Sequence, residues 1–268
     1  MLKNRLIPVV LLRNGVVVQS KGFQRYQVLG NPYTVVQRLS DWAADELIYL
    51  DISKAPHYDL RRDDLNFPNR NNIIEILKDI SQKCFMPLTF GGGIRTLEDA
   101  AIRLSSGADK VAVNSQALLN PEFISNLAKE FGSQCIVVSV DALKKKQGEW
   151  EVYRGGRQVA TGKTPIEWAV EVEQYGAGEI FINSIDRDGL GCGYDLELIN
   201  SVVKVVNIPV IACGGVGSWE HFADGLKYTE VSAVSAANIF HYTENSVYKA
   251  KKFLFDQGFN VREPLLGI

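Results

Sequence analysis

The sequence predicts a (β/α)8 barrel, and three observations support this fold class. Short apolar runs rich in β-branched residues recur roughly every 30 residues, separated by amphipathic segments, which is typical of buried parallel strands joined by helices. The chain has 268 residues, and eight such units in this length favour a barrel over a doubly wound open sheet. Strands are predicted at residues 6–11, 47–51, 86–90, 110–114, 135–140, 179–184, 208–213 and 231–236.

An internal repeat is the third observation. Residues 87–94 (Pro-Leu-Thr-Phe-Gly-Gly-Gly-Ile) match residues 209–216 at an offset of 122. Residues 43–48 match residues 176–181 at an offset of 133, and Pro32 and Pro165 share that offset. We therefore predict one domain of residues 1–268, built from two homologous half-barrels at approximately 1–130 and 131–260.

Two segments are longer than compact strand-to-helix connections. Residues 53–72 form a long charged loop after the second predicted strand, and residues 143–162 have the pattern of a β-hairpin after the fifth. Both follow the carboxyl ends of strands, where barrel active sites are built. Long loops in such places are usually functional.

Charge and apolar patterning exclude several classes of partner. The formal net charge is -2 with nearly equal numbers of acidic and basic residues, which gives no electrostatic case for nucleic acid or for an anionic membrane surface. No apolar stretch has membrane-spanning length, and the run at residues 6–12 is too short for a signal peptide. We expect a cytoplasmic protein whose partners are small molecules or other proteins.

Cysteine and histidine spacing indicates neither disulfides nor a metal site. The four cysteines show no CxxC spacing and mostly adjoin apolar runs, so buried free thiols are expected. The three histidines lack ligand spacing, and neither a zinc site nor a cofactor is expected. The residues concerned are Cys84, Cys135, Cys192, Cys213, His57, His221 and His241.

Two glycine-rich turns are candidate phosphate sites. Gly91–Gly93 and Gly214–Gly215 each close a predicted strand and precede a helix, whose first N–H groups could bind an anion. Asn114-Ser115 and Ala237-Asn238 end the neighbouring strands in matching places. The alternative is that the glycines only shape tight turns. The duplication favours phosphate binding, and two such sites suit a substrate with a phosphate at each end.

Position 11 breaks the symmetry between the halves. The apolar run 136–140 ends in Asp141, whereas its counterpart, residues 6–10, ends in Leu11. A reaction that needs two proton-transfer groups at a barrel mouth would lack one of them. Asp141 alone could also be a structural carboxylate that caps the loop after the fifth strand.

The chain resembles the HisF family, the cyclase subunits of imidazole glycerol phosphate synthase, over essentially residues 1–260. Segments 131–134 and 184–189 resemble HisF more than the related isomerase HisA. The matching segments are Arg5–Pro8, Ala44–Leu47, Gly91–Arg95, Gly107–Val111, Phe131–Gln134, Gly176–Ile180 and Ser184–Gly189.

The resemblance implies an ammonia entrance at the base of the barrel, fed by a HisH-like glutaminase. The entrance residues implied by the family are Arg5, Glu46, Lys110 and Glu179, and the implied glutaminase contacts are Asp109 and Gln134. Without the family, the four charged residues would be read as ion pairs flanking buried strands, because such charges need partners.

The resemblance also implies phosphate-binding and catalytic residues. The phosphate-binding positions are Gly93, Asn114, Ser115, Asp188, Gly189, Gly215, Ala237 and Asn238. The implied catalytic pair is Asp141 and a first aspartate, which is replaced here by Leu11. Gln19 stands where the family has a lysine, although Lys21 is close, and the 53–72 loop is an insertion.

These departures lie at the mouth and none lies at the base. We therefore expect an ammonia-conducting subunit. Its resemblance to HisF-like proteins that share this departure and are encoded with surface-polysaccharide genes implies that it supplies a separate sugar amidotransferase, with the 53–72 loop as a docking surface. One alternative is a working cyclase in which Asp51, or a water held by Asp141, replaces the lost aspartate. Another is a scaffold that binds a phosphorylated small molecule and activates a glutaminase. A HisA-like isomerase is least favoured, since it also uses an aspartate pair.

Overall fold

A computed structural model describes residues 2–54, 58, 70 and 72–265. Most of the predicted 53–72 loop therefore lies outside the described residues, and its expected docking role is not addressed by the fold. The strands are β1 (Arg5–Arg13), β2 (Val16–Lys21), β3 (Arg25–Gly30), β4 (Leu47–Asp51), β5 (Leu88–Gly91), β6 (Lys110–Val113), β7 (Ile136–Lys146), β8 (Glu149–Arg154), β9 (Val159–Ala160), β10 (Glu179–Ser184), β11 (Val210–Cys213) and β12 (Ala233–Ala236).

Eight parallel strands close into a barrel, which confirms the predicted fold class. The order around the barrel is β1-β4-β5-β6-β7-β10-β11-β12, and β12 pairs with β1 to complete the circle. Each of the eight predicted strands overlaps one of these strands. β1 and β7 run further than predicted because each continues into an antiparallel extension, β2–β3 and β8–β9.

Helices cover the outside of the barrel. Pro32 and Pro165 begin α1 and α6, as their spacing predicts, because a first-turn proline lacks only an N–H that the helix would leave unpaired. Within the described part of the chain, no helix is both long and apolar enough to cross a membrane. The helices are α1 (Pro32–Asp41), α2 (Ile73–Ser81), α3 (Leu97–Ser105), α4 (Ser115–Leu119), α5 (Glu122–Phe131), α6 (Pro165–Gln174), α7 (Leu196–Val203), α8 (Trp219–Tyr228) and α9 (Ser246–Asp256).

The apolar residues form two separate clusters. The larger lies between the strands and the helices, and the smaller fills the lumen of the barrel. The separation follows from the strand repeat of two, since successive side chains point to opposite faces. The buried lumen residues are Ile7, Val9, Ile48, Ala112, Val137, Phe181, Ile211, Cys213 and Ala233.

The four cysteines form no disulfide, as expected, but one expectation about their burial is wrong. Cys213 is buried and Cys84 and Cys135 are partly buried, whereas Cys192 is exposed. Cys192 lies in the glycine-rich segment between β10 and α7 rather than against a strand, so no packed layer covers it.

The repeated segments occupy equivalent places in the barrel. β5 and β11 lie four strands apart around the circle, and so do β4 and β10. Glu46 directly precedes β4, and Glu179 is the first residue of β10. Four strands are half of the circle, which is the spacing that a duplicated half-barrel predicts. The duplication itself stays a prediction.

A buried ion pair ties the last helix to the base of the barrel. Lys251 on α9 donates to Asp45 at 2.7 Å and to the Ala43 carbonyl at 3.0 Å, and its side chain is only 2% exposed. Asp45 also accepts from the Leu6 backbone N–H at 2.9 Å. These bonds connect α9, β1 and the segment before β4.

Replacing Lys251 should destabilise the protein strongly. Lys251→Ala leaves the Asp45 carboxylate buried without its cation, a change that costs about 3–5 kcal/mol in typical proteins. Lys252 is the matched control, because its pair with Asp256 is exposed at the surface of the same helix. Urea unfolding of both variants should show a large loss for Lys251→Ala and little change for Lys252→Ala. Equal losses would contradict this account of the pair.

Candidate functional site

A closed ring of four charges lies at the amino-terminal end of the barrel strands. Arg5 donates to Glu46 at 2.8 Å and also to Glu179. Lys110 completes the ring, with bonds of 3.2 Å to Glu46 and 3.1 Å to Glu179. The structure thus brings together all four residues that the resemblance implied, and each cation contacts both carboxylates.

The ring is largely shielded from water, and that raises its electrostatic strength. The side chain of Glu179 is 6% exposed and that of Glu46 is 11% exposed. Burial lowers the pKa of Arg5, but the attraction of Glu179 and then of Glu46 outweighs it, so the pKa of Arg5 is raised overall. Desolvated charges of this kind are stable only while their partners remain in place. The ring is a fixed, closed feature of the base in this structure.

The lumen above the ring is lined mainly by apolar side chains, with the hydroxyl groups of Thr89, Ser139 and Ser235 among them. Because side chains alternate, the inward residues of β1 after Arg5 are Ile7, Val9 and Leu11. By the same alternation, the inward residues after Lys110 on β6 are Ala112 and then Asn114. An apolar lumen binds a charged solute poorly and a small neutral solute more readily.

Leu11 and Asp141 face each other across the mouth. They lie on β1 and β7, which are separated by half of the circle of eight strands. Leu11 packs with Leu50 and Ala237 against the lumen cluster, and Leu50 is its register partner on β4. The position that a second carboxylate would need is therefore occupied by an aliphatic side chain.

Asp141 is buried and hydrogen-bonded to its neighbour on the next strand. Its side chain accepts from Asn114 Nδ2 at 2.8 Å, and the residue is 6% exposed. Burial raises the pKa of Asp141 to about 7, although hydrogen bonds from Asn114 and Asn183 lower it; the charge of Asp188 raises it further. A carboxyl group with this pKa can exchange a proton near neutral pH.

Asp51 does not replace the missing aspartate. It follows Leu50 on β4, so alternation turns its side chain away from the lumen. Its two carboxylate oxygens accept from the Ser53 backbone at 2.9 Å and from the Tyr58 hydroxyl at 3.0 Å. Asp51 therefore anchors the beginning of the long segment after β4 instead of facing Asp141.

The first glycine turn, Gly91–Gly93, has a buried cation behind it. Arg103 on α3 donates to the Gly92 carbonyl at 3.1 Å and to the Asp99 carbonyl at 2.8 Å. A side chain at Gly93 would begin 3.5 Å from the Arg103 guanidinium. Ser115, at the start of α4, is exposed. The predicted phosphate residues of this half therefore adjoin a positive charge that the sequence pattern did not indicate.

In the second half, three predicted phosphate residues bind the β2–β3 hairpin instead. Asp188 accepts from the Ser20 hydroxyl at 2.6 Å and from the Phe23 backbone at 3.1 Å. Asn238 donates to the Ser20 carbonyl at 2.7 Å. A side chain on Gly189 would begin only 2.3 Å from that carbonyl, so only glycine allows this contact. A phosphate on these side chains would compete with the hairpin.

The other residues of the second half lie nearby. Gly215 packs against the Gly193 carbonyl and accepts from the Gly193 N–H at 2.8 Å. Ala237 is partly buried against the lumen cluster beside Leu11. Burial raises the pKa of Asp188, although hydrogen bonds from Ser20, Phe23 and Gly22 lower it. The hairpin is thus bound through hydrogen bonds to the rim on the β10 and β12 side of the mouth.

The two predicted glutaminase contacts lie at the base and are exposed. Asp109 directly precedes Lys110 and accepts from the Leu88 backbone at 2.8 Å. Gln134 precedes β7, and its side chain lies over Gly132. Both positions are open to a partner that covers the base.

The sequence matches the histidine biosynthesis protein family over residues 5–246. The chain belongs to this family. The match begins at Arg5 and includes every ring and mouth residue described above.

Sequence reasoning missed three residues of this site. Asn183 follows Glu179 and Phe181 at the strand repeat of two, so its inward position could have been predicted from the ring residue on the same strand. Ser20 lies in the β2–β3 hairpin, whose strands were not among those predicted. Arg103 is buried in a helix that otherwise has an ordinary amphipathic pattern, and no sequence signal separates it from a surface arginine.

The raised pKa of Asp141 should make stability depend on pH in an unusual direction. The pKa rises from 3.8 to about 7 on folding, so between these values the native protein holds a proton that the unfolded chain releases. Stability due to this group is therefore present at low pH and is lost as the pH rises towards about 7.

Asp141→Asn should remove that loss, because asparagine stays neutral and keeps the acceptor for Asn114. The unfolding free energy of the variant minus that of the unsubstituted protein should increase by up to about 4 kcal/mol between roughly pH 4 and pH 8, in favour of the variant. Urea unfolding at several pH values measures this difference, and carbon NMR of the Asp141 carboxyl measures the pKa directly. A constant difference across the pH range, with an ordinary carboxyl titration, would contradict the burial argument.

Proposed function

We propose that this protein is the ammonia-conducting subunit of a glutamine amidotransferase complex. A HisH-like glutaminase would bind the base, ammonia would enter through the ring of Arg5, Glu46, Lys110 and Glu179, and it would leave at the mouth for a separate acceptor. The observation that carries the proposal is the contrast between the two ends: the ring at the base is complete, whereas Leu11 replaces a proton-transfer group at the mouth.

The surface of the base supports a protein partner there. Leu2 is 94% exposed and Phe85 is 87% exposed, and they precede β1 and β5 at the same end of the barrel as the ring. Exposed apolar side chains that form one patch are typical of protein interfaces, and we propose that these two residues belong to such a patch at the base. Asp109 and Gln134 lie at this end too, where a docked glutaminase would contact them.

The proposal also concerns the molecule that accepts the ammonia. A mouth with one proton-transfer group suits delivery of ammonia better than cyclisation, which in the HisF family uses two aspartates. We propose that the ammonia serves an ATP-dependent amidotransferase that builds an acetamidino group on a nucleotide-linked sugar for surface polysaccharide. A location in the cytoplasm would follow from such substrates and from the free thiols.

A second candidate is a working cyclase of histidine biosynthesis, and one observation favours it. Asp141 has a pKa of about 7, which is suited to a group that both accepts and donates protons. In that case a water held by Asp141 would replace the missing aspartate, since Asp51 is turned away from the lumen.

An ammonium-dependent cyclase assay separates the two candidates. We expect no imidazole product from the purified protein with the aminoimidazole carboxamide ribonucleotide substrate and an ammonium salt. Leu11→Asp should produce measurable turnover, because a positioned acid or base is worth about 10²–10⁴-fold in rate. Leu11→Asn is the matched control, since it is polar but cannot exchange a proton near neutral pH. Turnover by the unsubstituted protein at a rate typical of the family would reject the proposed function.

The ring should couple glutamine hydrolysis to use of ammonia in the assembled complex. Arg5→Ala removes one of the two cations that contact both glutamates and opens the ring, so ammonia should escape and less than half of the hydrolysed glutamine should appear as product. The ratio of glutamate to aminated product measures this loss, and Lys252→Ala on the surface of α9 is the control. Unchanged coupling in Arg5→Ala would instead support a scaffold that only activates the glutaminase.

A further inference from the structure

Three neighbouring strands place a set of hydrogen-bond acceptors at the top of the lumen. Asn114 follows β6, Asp141 lies on β7 and Asn183 lies on β10, so the two asparagines flank the aspartate. Register pairs Asn183 directly with Asp141. By the strand repeat of two, all three side chains face the lumen, above Lys110 and Glu179 of the ring.

Two acceptors of this set are buried and have no partner among the described residues. Asn114 Oδ1 and Asn183 Oδ1 are shielded from solvent and accept no hydrogen bond. The rest of each amide is oriented, because Asn114 Nδ2 donates to Asp141 at 2.8 Å and Asn183 also hydrogen-bonds to that carboxylate. Each free oxygen therefore belongs to an amide group that is hydrogen-bonded to the Asp141 carboxylate. Buried acceptors without partners are uncommon and require an explanation.

The described surroundings leave room for a small donor, and the described side chains across the mouth supply none. A side chain on Gly214 would begin 2.9 Å from Asn183 Oδ1, so the glycine keeps the space beside that oxygen open. Across the mouth, Leu11, Leu50 and Ala237 offer no N–H or O–H group from their side chains. Among the described residues these side chains supply no donor, so a water molecule or a small ligand with N–H groups can occupy the space beside the two oxygens.

We propose that Asn114 Oδ1, Asn183 Oδ1 and the Asp141 carboxylate form a holding site for ammonia at the outlet of the lumen. Ammonia has three N–H donors and one lone pair, which matches three acceptors on one wall. Held in this way, its lone pair is directed away from β6, β7 and β10 and towards the mouth. Leu11 leaves the opposite wall without a competing acceptor.

This inference rests on the proposed function, but it concerns a binding site that is measurable in the free barrel. The lumen between the ring and this site is lined by apolar residues such as Val137 and Phe181. By the same alternation, the hydroxyl group of Ser139 lies between the ring and this site, and the three acceptors are the cluster of binding groups at the mouth end of the lumen. A holding site here would keep ammonia at the mouth until the acceptor substrate is ready.

Ammonium chloride, which supplies ammonia and ammonium in equilibrium, is the probe for this site. In the full chain, NMR should show saturable shifts of the Asn114 and Asn183 side-chain amides and of the Asp141 carboxyl. Tetramethylammonium chloride at equal concentration is the matched salt control, because it has the same charge and no N–H donor. The same shifts with both salts, or shifts that never saturate, would overturn the proposal.

Variants at Asn183 give a second, independent measure. Asn183→Leu has similar volume but no acceptor, and it should weaken ammonium binding about tenfold, the effect of one hydrogen bond. Asn183→Thr keeps an acceptor oxygen and should retain most of the binding. If the leucine variant binds as tightly as the unsubstituted protein, Asn183 is not part of the site; if that variant fails to fold, the two-salt comparison still decides.

The outcomes separate this inference from the proposed function. Coupling that depends on Arg5 in the complex, without ammonium-specific shifts in the barrel, would overturn the holding site and leave the conduit standing. Ammonium-specific shifts, together with coupling that is unchanged in Arg5→Ala, would support the holding site and overturn the proposed conduit.

Discussion

The alternation of side chains along eight parallel strands is the constraint on which the whole site depends. Once Arg5, Glu46, Lys110 and Glu179 face inward at the base, every second residue above them must face inward as well. This lines the middle of the lumen mainly with apolar side chains and places Leu11, Asn114 and Asn183 at the mouth, and the same alternation on β7 places Asp141 beside them. A shift of one residue in any strand would turn its inward set against the helices. The same strand registers thus determine both the charged ring at the base and the polar residues at the mouth.

The two ends differ in how their charges are balanced. At the base, two cations and two carboxylates alternate in a closed ring, so each buried charge has two partners. At the mouth, Asp141 has hydrogen bonds from amides and no cationic partner among the described residues, and burial raises its pKa to about 7. Removing one member of the ring leaves its two neighbours with a single partner each, which weakens the compensation of their buried charge. At the mouth, burial favours the neutral form of Asp141, and its ionisation lowers the stability of the fold.

The sequence predicted the barrel, the eight strands and the inward charges well, because these depend on a short repeat and on local turn chemistry. Pro32 and Pro165 begin helices, and the runs ending in Leu11 and Asp141 are barrel strands, as expected. The β2–β3 hairpin was missed since its exposed strand β3 lacks a clear alternation of apolar residues. Its binding to Asp188 and Asn238 could not be foreseen, because residues about 165–220 positions apart in the chain meet there only through closure of the barrel. Arg103 was missed because burial of an arginine depends on its neighbours in space rather than on its position in a helix.

The hairpin changes what the second half of the mouth can bind. Asp188 is a buried carboxylate, and its backbone and side-chain oxygens already accept three hydrogen bonds from residues 20–23. A phosphate beside it would meet a negative charge and would also have to share Asn238 with the Ser20 carbonyl. The first glycine turn has the opposite character, since the buried guanidinium of Arg103 lies behind it. The two halves therefore no longer offer equivalent anion sites in this conformation, and a ligand with a single anionic group would be drawn to the first. Delivery of ammonia to a separate acceptor needs neither anion site, whereas cyclisation of a substrate with a phosphate at each end needs both.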